Sequence, residues 1–96
     1  MKVSFVIPCY RSEHTIGKVV DKIQNTIRKD DECEIILVND CSPDDTFETI
    51  RGLCEKWDNV KGISLAKNFG QHAALMAGFR HVTGDVVVCL DDDGQT

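Results

Sequence analysis

The chain has no C-x-x-C pair, and its five cysteines (Cys9, Cys33, Cys41, Cys54 and Cys89) are an odd set. His14, His72 and His81 are scattered, so zinc-ligand spacing is absent and a reduced, cytosolic chain is expected. Basic residues are scarce. Lys and Arg total 11 against 16 Asp and Glu, giving a net charge of −5. Without a basic stripe to release counterions, a nucleic-acid partner is excluded. No apolar run approaches the ~18 residues of a membrane span, and residues 1–8 are too short for a signal peptide's apolar core and read as a strand. There is no G-x-G-x-x-G and no G-x-x-x-x-G-K-[ST], which argues against the usual dinucleotide fold and a P-loop. Repeats, linkers and low-complexity segments are missing too. A chain of 96 residues is one small domain with one modest core.

What is present is an alternation of short apolar runs with helical patterns. Residues 2–7 form the first predicted strand, closed by Pro8. Ser12 is placed to cap a helix whose apolar positions, Ile16, Val19, Val20, Ile23 and Ile27, fall on one stripe. Residues 34–38 are nearly all apolar, as in a strand covered on both faces. Asp45 and Glu48 then suggest a capping box before a helix burying Phe47, Ile50, Leu53, Cys54 and Trp57. A strand at 60–65 follows, weakened by Gly62. A helix over 71–81 comes next, with Leu75, Phe79 and Val82 on one face, and then an apolar strand at 85–90. This βαβαβαβ order with right-handed crossovers predicts an α/β fold, a Rossmann-like parallel sheet with helices on both faces.

In such sheets ligands bind beyond the carboxyl ends of the strands. The chemically unusual residues gather there: Pro8-Cys9-Tyr10, Asp40, Lys67-Asn68 and Asp91-Asp92-Asp93. For any one loop, turn chemistry is a sufficient explanation; four such loops on one edge point to a site. Asp91 and Asp93 share one side of an extended chain and Asp92 takes the other. Two carboxylates on one side suit Mg²⁺ or Mn²⁺, which shares its shell with substrate phosphates. The plain alternative is a solvated acidic loop. Asp40 is placed to accept from a base or ribose, or to cap the next helix. Tyr10 is placed to stack on a base, and Lys67 to neutralise a diphosphate or simply to sit at the surface. The backbone N–H groups where residues 68–72 open a helix suit an anion. His72 has no nucleophile placed by spacing and is given no catalytic role.

Taken in order, these motifs resemble glycosyltransferase family 2, whose fold is called GT-A. Val6-Ile7-Pro8-Cys9-Tyr10 resembles the opening V-I-P-x-Y. The stretch 36–46, with Asn39-Asp40-Cys41-Ser42-Pro43-Asp44-Asp45 at its centre, resembles V-D-D-x-S-x-D-x-T. Lys67-Asn68-Phe69-Gly70-Gln71-His72, Ala77-Gly78-Phe79, Thr83-Gly84-Asp85 and Leu90-Asp91-Asp92-Asp93-Gly94-Gln95 continue the match. The N-F-G-Q-H segment is most similar to the branch that loads sugars onto polyprenyl phosphates, such as undecaprenyl and dolichyl phosphate.

The resemblance implies an inverting, metal-dependent glycosyltransferase that takes a UDP- or GDP-linked sugar. Its implied acceptor is a polyprenyl phosphate or a cell-surface glycan precursor. Pro8, Tyr10, Ser12, Glu13, Asp40, Lys67, Asp91 and Asp92 would contact the nucleotide sugar. Asp91, Asp93 and Gln95 would hold Mg²⁺ or Mn²⁺, with Asp91 and Asp93 stabilising the diphosphate. Any catalytic base would lie beyond Thr96, in the acceptor-binding half that family members carry. Asn39 replaces a common Asp, and Ser12 or Glu13 stands where some members have a nucleotide-contacting Glu. Residues 1–96 are expected to be the N-terminal nucleotide-sugar-binding part, ending just after the D-x-D motif and inactive alone. The full-length enzyme is expected at the cytoplasmic face of the membrane. An exposed sheet edge would then favour self-association. Two other readings stay open: a stand-alone nucleotide-binding or regulatory module, and a haloacid-dehalogenase-like phosphatase using Asp91.

Overall fold

The computed structural model describes residues 1–27 and 31–91. Strands β1 (Lys2–Cys9), β2 (Glu32–Asn39), β3 (Val60–Ser64) and β4 (Val86–Cys89) alternate with helices α1 (Ile16–Thr26), α2 (Thr46–Lys56) and α3 (Gln71–Phe79). The strands form one parallel sheet in the order β3-β2-β1-β4. The expected α/β architecture is therefore present. Among the described residues no helix is long and apolar enough to cross a membrane.

Successive side chains of a strand point to opposite faces, and the central strands are apolar at nearly every position. Ile7, Ile35 and Leu37 face α1 and α2 and pack with Ile16, Val20, Ile23, Ile50 and Leu53. Val6, Ile36 and Val38 face the other way, toward Ala74 of α3. The sheet thus divides the core in two, with the α3 side the smaller cluster. The α3 face is close-packed because Gly78 lies on Val6. A Cβ there would collide with Val6 Cγ1 and come within 3.2 Å of Val38 Cγ2.

Several local expectations are revised. Pro8 does not close β1, which continues to Cys9 with Pro8 opposite Val38. Pro8 shares the parity of Val6, whose carbonyl accepts from Leu90 on the β4 side. Its missing N–H therefore falls where β4 has already ended, and no ladder bond is lost. Ser12 does not cap α1 through its side chain; its carbonyl accepts from the N–H groups of Thr15 and Ile16, a turn before the helix proper. Asp45 occupies the N-cap position of α2 without a side-chain bond. Its neighbour Asp44 takes that role, accepting from the N–H of Thr46 at 3.1 Å. In α3 the buried positions are Ala74 and Gly78, while Phe79 is 40% exposed. β4 is a short edge strand, and Val86 and Val87 stand exposed on it.

At the amino end of the sheet a buried carboxylate ties three strands together. Glu34 accepts from Ser4 Oγ at 2.5 Å, from the N–H and hydroxyl of Thr83 at 2.6 and 3.0 Å, and from Lys61 Nζ at 3.1 Å. Burial pushes this carboxyl up, but the donors outweigh it and hold its pKa at about 2. Gly84 donates to Ser4 Oγ at 2.9 Å, and a Cβ on Gly84 would strike that same oxygen. The Asp85 N–H bonds to the Lys2 carbonyl at 2.7 Å, which sets the start of β4 against β1.

Candidate nucleotide-sugar site

At the opposite, carboxyl end of the sheet, a pocket of about 320 Å³ opens between the β1–α1 loop, the end of β2, the N-terminus of α3 and the residue following Leu90. It is lined by Pro8, Cys9, Tyr10, Ser12, Asp40, Asn68, Gly70, Gln71 and Asp91. That volume falls in the range of small-ligand sites. Of the expected site residues, Pro8, Tyr10, Ser12, Asp40 and Asp91 are brought together here. Glu13 and Lys67 are not among the lining residues; Glu13 Oε1 lies 3.9 Å from His14 Nε2, and Lys67 is exposed. Asp92, Asp93, Gln95 and Thr96 lie outside the described residues. The expected metal set is thus represented by Asp91 alone among the described residues. Cys9, Asn68, Gly70 and Gln71 also line the pocket, the last three from the helix-opening segment whose backbone N–H groups are expected to suit an anion.

Asp40 is buried, and both its oxygens are already used. Oδ1 accepts the N–H of Phe69 at 2.9 Å and Oδ2 the N–H of Gly70 at 3.0 Å. The anion received by the turn before α3 is thus a side chain of the protein itself. Asp40 caps this turn instead of α2, and it shapes the pocket wall by holding the β3–α3 loop. Gly70 makes the turn possible, since its φ of 95° is in the left-handed region that glycine enters without strain. Asn39 links the same loops, donating to Ser64 Oγ at 3.1 Å and accepting from the N–H of Ser42 at 3.1 Å.

Tyr10 stands at the mouth, 44% exposed, with the Arg11 guanidinium 5.6 Å from its ring centroid. Its ring offers an aromatic face to a planar ligand, and the cation beside it was not foreseen from the sequence. The exposed Asp91 carboxylate lies at the lip and accepts a hydrogen bond from Gln71 Nε2. Among the described residues no group of three or more His, Cys, Asp or Glu side chains could hold a metal ion. None of the five cysteines forms a disulfide among the described residues.

The chain matches the family described as Glycosyl transferase family 2 over residues 4–96. Among curated relatives, the undecaprenyl-phosphate 4-deoxy-4-formamido-L-arabinose transferase of Pseudomonas fluorescens is 40% identical over 95 residues, 97% of this chain and 28% of the relative. Among solved structures, S. aureus TarS 1-349 in complex with UDP aligns with a TM-score of 0.83 and 28% identity, over 97% of this chain and 28% of that one. The mannosyltransferase PcManGT from Pyrobaculum calidifontis, in complex with GDP-Man and Mn²⁺, aligns with a TM-score of 0.84 and 26% identity, over 95% and 27%. The chain therefore spans under a third of the length of the proteins it resembles, and its four parallel strands are those of a GT-A fold. It belongs to glycosyl transferase family 2.

Proposed function

We propose that this chain is the nucleotide-sugar-binding part of an inverting, metal-dependent glycosyltransferase. In this reading the donor is a UDP- or GDP-linked sugar and the acceptor a polyprenyl phosphate or a cell-surface glycan precursor. One observation carries the proposal: Tyr10, Ser12, Asp40, Gln71 and Asp91, far apart in sequence, line a single pocket at the carboxyl edge of the sheet. The nucleotides bound to TarS and PcManGT, and the undecaprenyl-phosphate named for the curated relatives, support it.

Tyr10 and Pro8 would pack against the base, and Ser12 would border the ribose. Asp40 would hold the β3–α3 loop through Phe69 and Gly70 and, from its place in the pocket lining, accept from the base or ribose with its remaining lone pairs. Asp91 offers an exposed carboxylate of the hard oxygen type that Mg²⁺ and Mn²⁺ prefer. With Asp93 and Gln95 it would hold the cation, and Asp92 would face the nucleotide sugar. Such a cation supplies charge stabilisation to the departing nucleoside diphosphate. A base that activates the acceptor would come from sequence following Thr96. Glu13 and Lys67 would meet the donor only by approaching from outside the pocket lining. Cysteines without disulfides and the lipid-phosphate relatives favour a cytoplasmic location, at the membrane face in the whole enzyme. The exposed β4 edge favours self-association of the 96-residue chain.

Calorimetric titration with UDP- and GDP-linked sugars, with and without Mn²⁺, tests this reading. Saturable binding to one nucleotide class, strengthened by Mn²⁺, is expected. Absence of binding to both classes in the presence of the metal would overturn it.

A further inference from the structure

Two non-glycine residues among those described have left-handed backbone: Arg11 and Cys41, each with φ of 54°. Such residues persist where their surroundings hold them. They lie in facing loops, β1–α1 and β2–α2, and the bonds joining these loops converge on one carboxylate. The Arg11 N–H donates to Ser42 Oγ at 2.8 Å, and the Ser12 N–H donates to Thr46 Oγ1 at 2.8 Å. Both hydroxyls in turn donate to Asp44 Oδ1. A hydroxyl whose proton is committed to a carboxylate presents its lone pairs to incoming N–H groups. Ser12 carries the constraint onward, with its Oγ 3.2 Å from both the N and the O of Tyr10. Asp44 itself is not among the pocket-lining residues.

We infer that Asp44 is a positioning residue for the nucleotide: through Ser42 and Thr46 it fixes Arg11 and Ser12, and thereby the place of Tyr10 at the pocket mouth. The inference rests on the nucleotide-sugar reading and names a residue that sets the geometry of that site without touching the ligand. It also fixes the sign of an effect. Removing a negative charge near an anionic ligand strengthens binding by Coulomb's law alone. Loss of positioning weakens it.

The test measures Kd for UDP and GDP in the presence of Mn²⁺, by calorimetry on the whole chain. Asp44→Asn is expected to bind about tenfold more weakly than wild type, the usual scale for a charge-assisted hydrogen bond. Thr46→Val should weaken binding likewise, whereas Thr46→Ser, which keeps the hydroxyl, should restore it. In a Tyr10→Ala background, Asp44→Asn should cost less than it does in wild type, because part of its effect travels through Tyr10 and the rest through Ser12, which lines the pocket itself. Equal or tighter binding by Asp44→Asn, or losses that simply multiply in the double variant, would overturn the inference. If Asp44→Asn does not fold, Ser42→Ala and Thr46→Val remove one arm each and carry the same comparison. Failure of the wild-type chain to bind either nucleotide would instead overturn the reading on which the inference rests.

Discussion

Each end of the sheet holds a buried carboxylate, and the two are used differently. At the amino end Glu34 is saturated by Ser4, Thr83 and Lys61, and the surrounding backbone closes over it through Gly84. At the carboxyl end Asp40 is also satisfied, by the N–H groups of Phe69 and Gly70, but beside it lies an open pocket with Tyr10 at its mouth and Asp91 at its lip. One carboxylate locks strands together. The other holds a loop in place and leaves its polar neighbours to a ligand. Breaking a buried, satisfied carboxylate is costly at either end; what sets the carboxyl end apart is the open pocket beside it.

The largest expected effect comes from breaking the closed end. Glu34→Ala should lower unfolding stability by about 2–4 kcal/mol, since it strands Ser4 and Thr83 donors. Denaturant unfolding measures it. Nucleotide affinity of the folded molecule should stay unchanged, and a matching loss of affinity would erase the contrast between the ends. Next, Gly78→Ala should cost about 1–3 kcal/mol of unfolding stability by forcing α3 off Val6, again measured by denaturant unfolding. At the open end the pattern reverses. Asp91→Asn should weaken Mn²⁺-dependent nucleotide binding about tenfold while moving stability by no more than about 0.5 kcal/mol, as expected for an exposed side chain.

The smallest effect is one of slope. Glu34 and Asp44 both have folded-state pKa values lowered to about 2; each is pushed up by burial, then held down more strongly by its donors. A depressed carboxylate pKa contributes stability that is fully present above the ordinary value of ~4 and lost as pH falls through the folded value. Thermal stability should therefore be flat above about pH 5 and decline toward pH 2. Glu34→Gln should make that decline shallower, and an unchanged slope would show that Glu34 does not supply it.

Much of this was legible in the sequence. The period of Ile16, Val20 and Ile23 marks α1, and the unbroken apolar run over 35–38 marks a strand buried on both faces; both have one dominant physical cause. The clustering of Pro8, Tyr10, Asp40 and Asp91 follows from parallel topology alone, because every strand delivers its carboxyl end to the same edge. What was not legible depends on distant partners. Asp40 is 29 residues from Phe69, and local chemistry offered only the nearer helix as a group for it to cap. Asp45 has the spacing of a capping box, yet Asp44 takes the role because the facing loop supplies Ser12 and Arg11 to the hydroxyls it orients. Phe79 shares a helical face with Leu75, but Gly78 lets α3 sit down on its smallest residues and turns Phe79 outward.

The most direct test maps the ligand onto the two ends. Amide chemical shifts of the isotope-labelled chain, recorded while UDP or GDP is added with Mg²⁺, report both regions at once. The expected perturbations fall on Tyr10, Arg11, Ser12, Asp40, Gly70, Gln71 and Asp91, with Ser4, Glu34, Thr83 and Gly84 unmoved. Shifts centred on the Glu34 end, or none at saturating nucleotide, would contradict the assignment of the carboxyl edge as the nucleotide site.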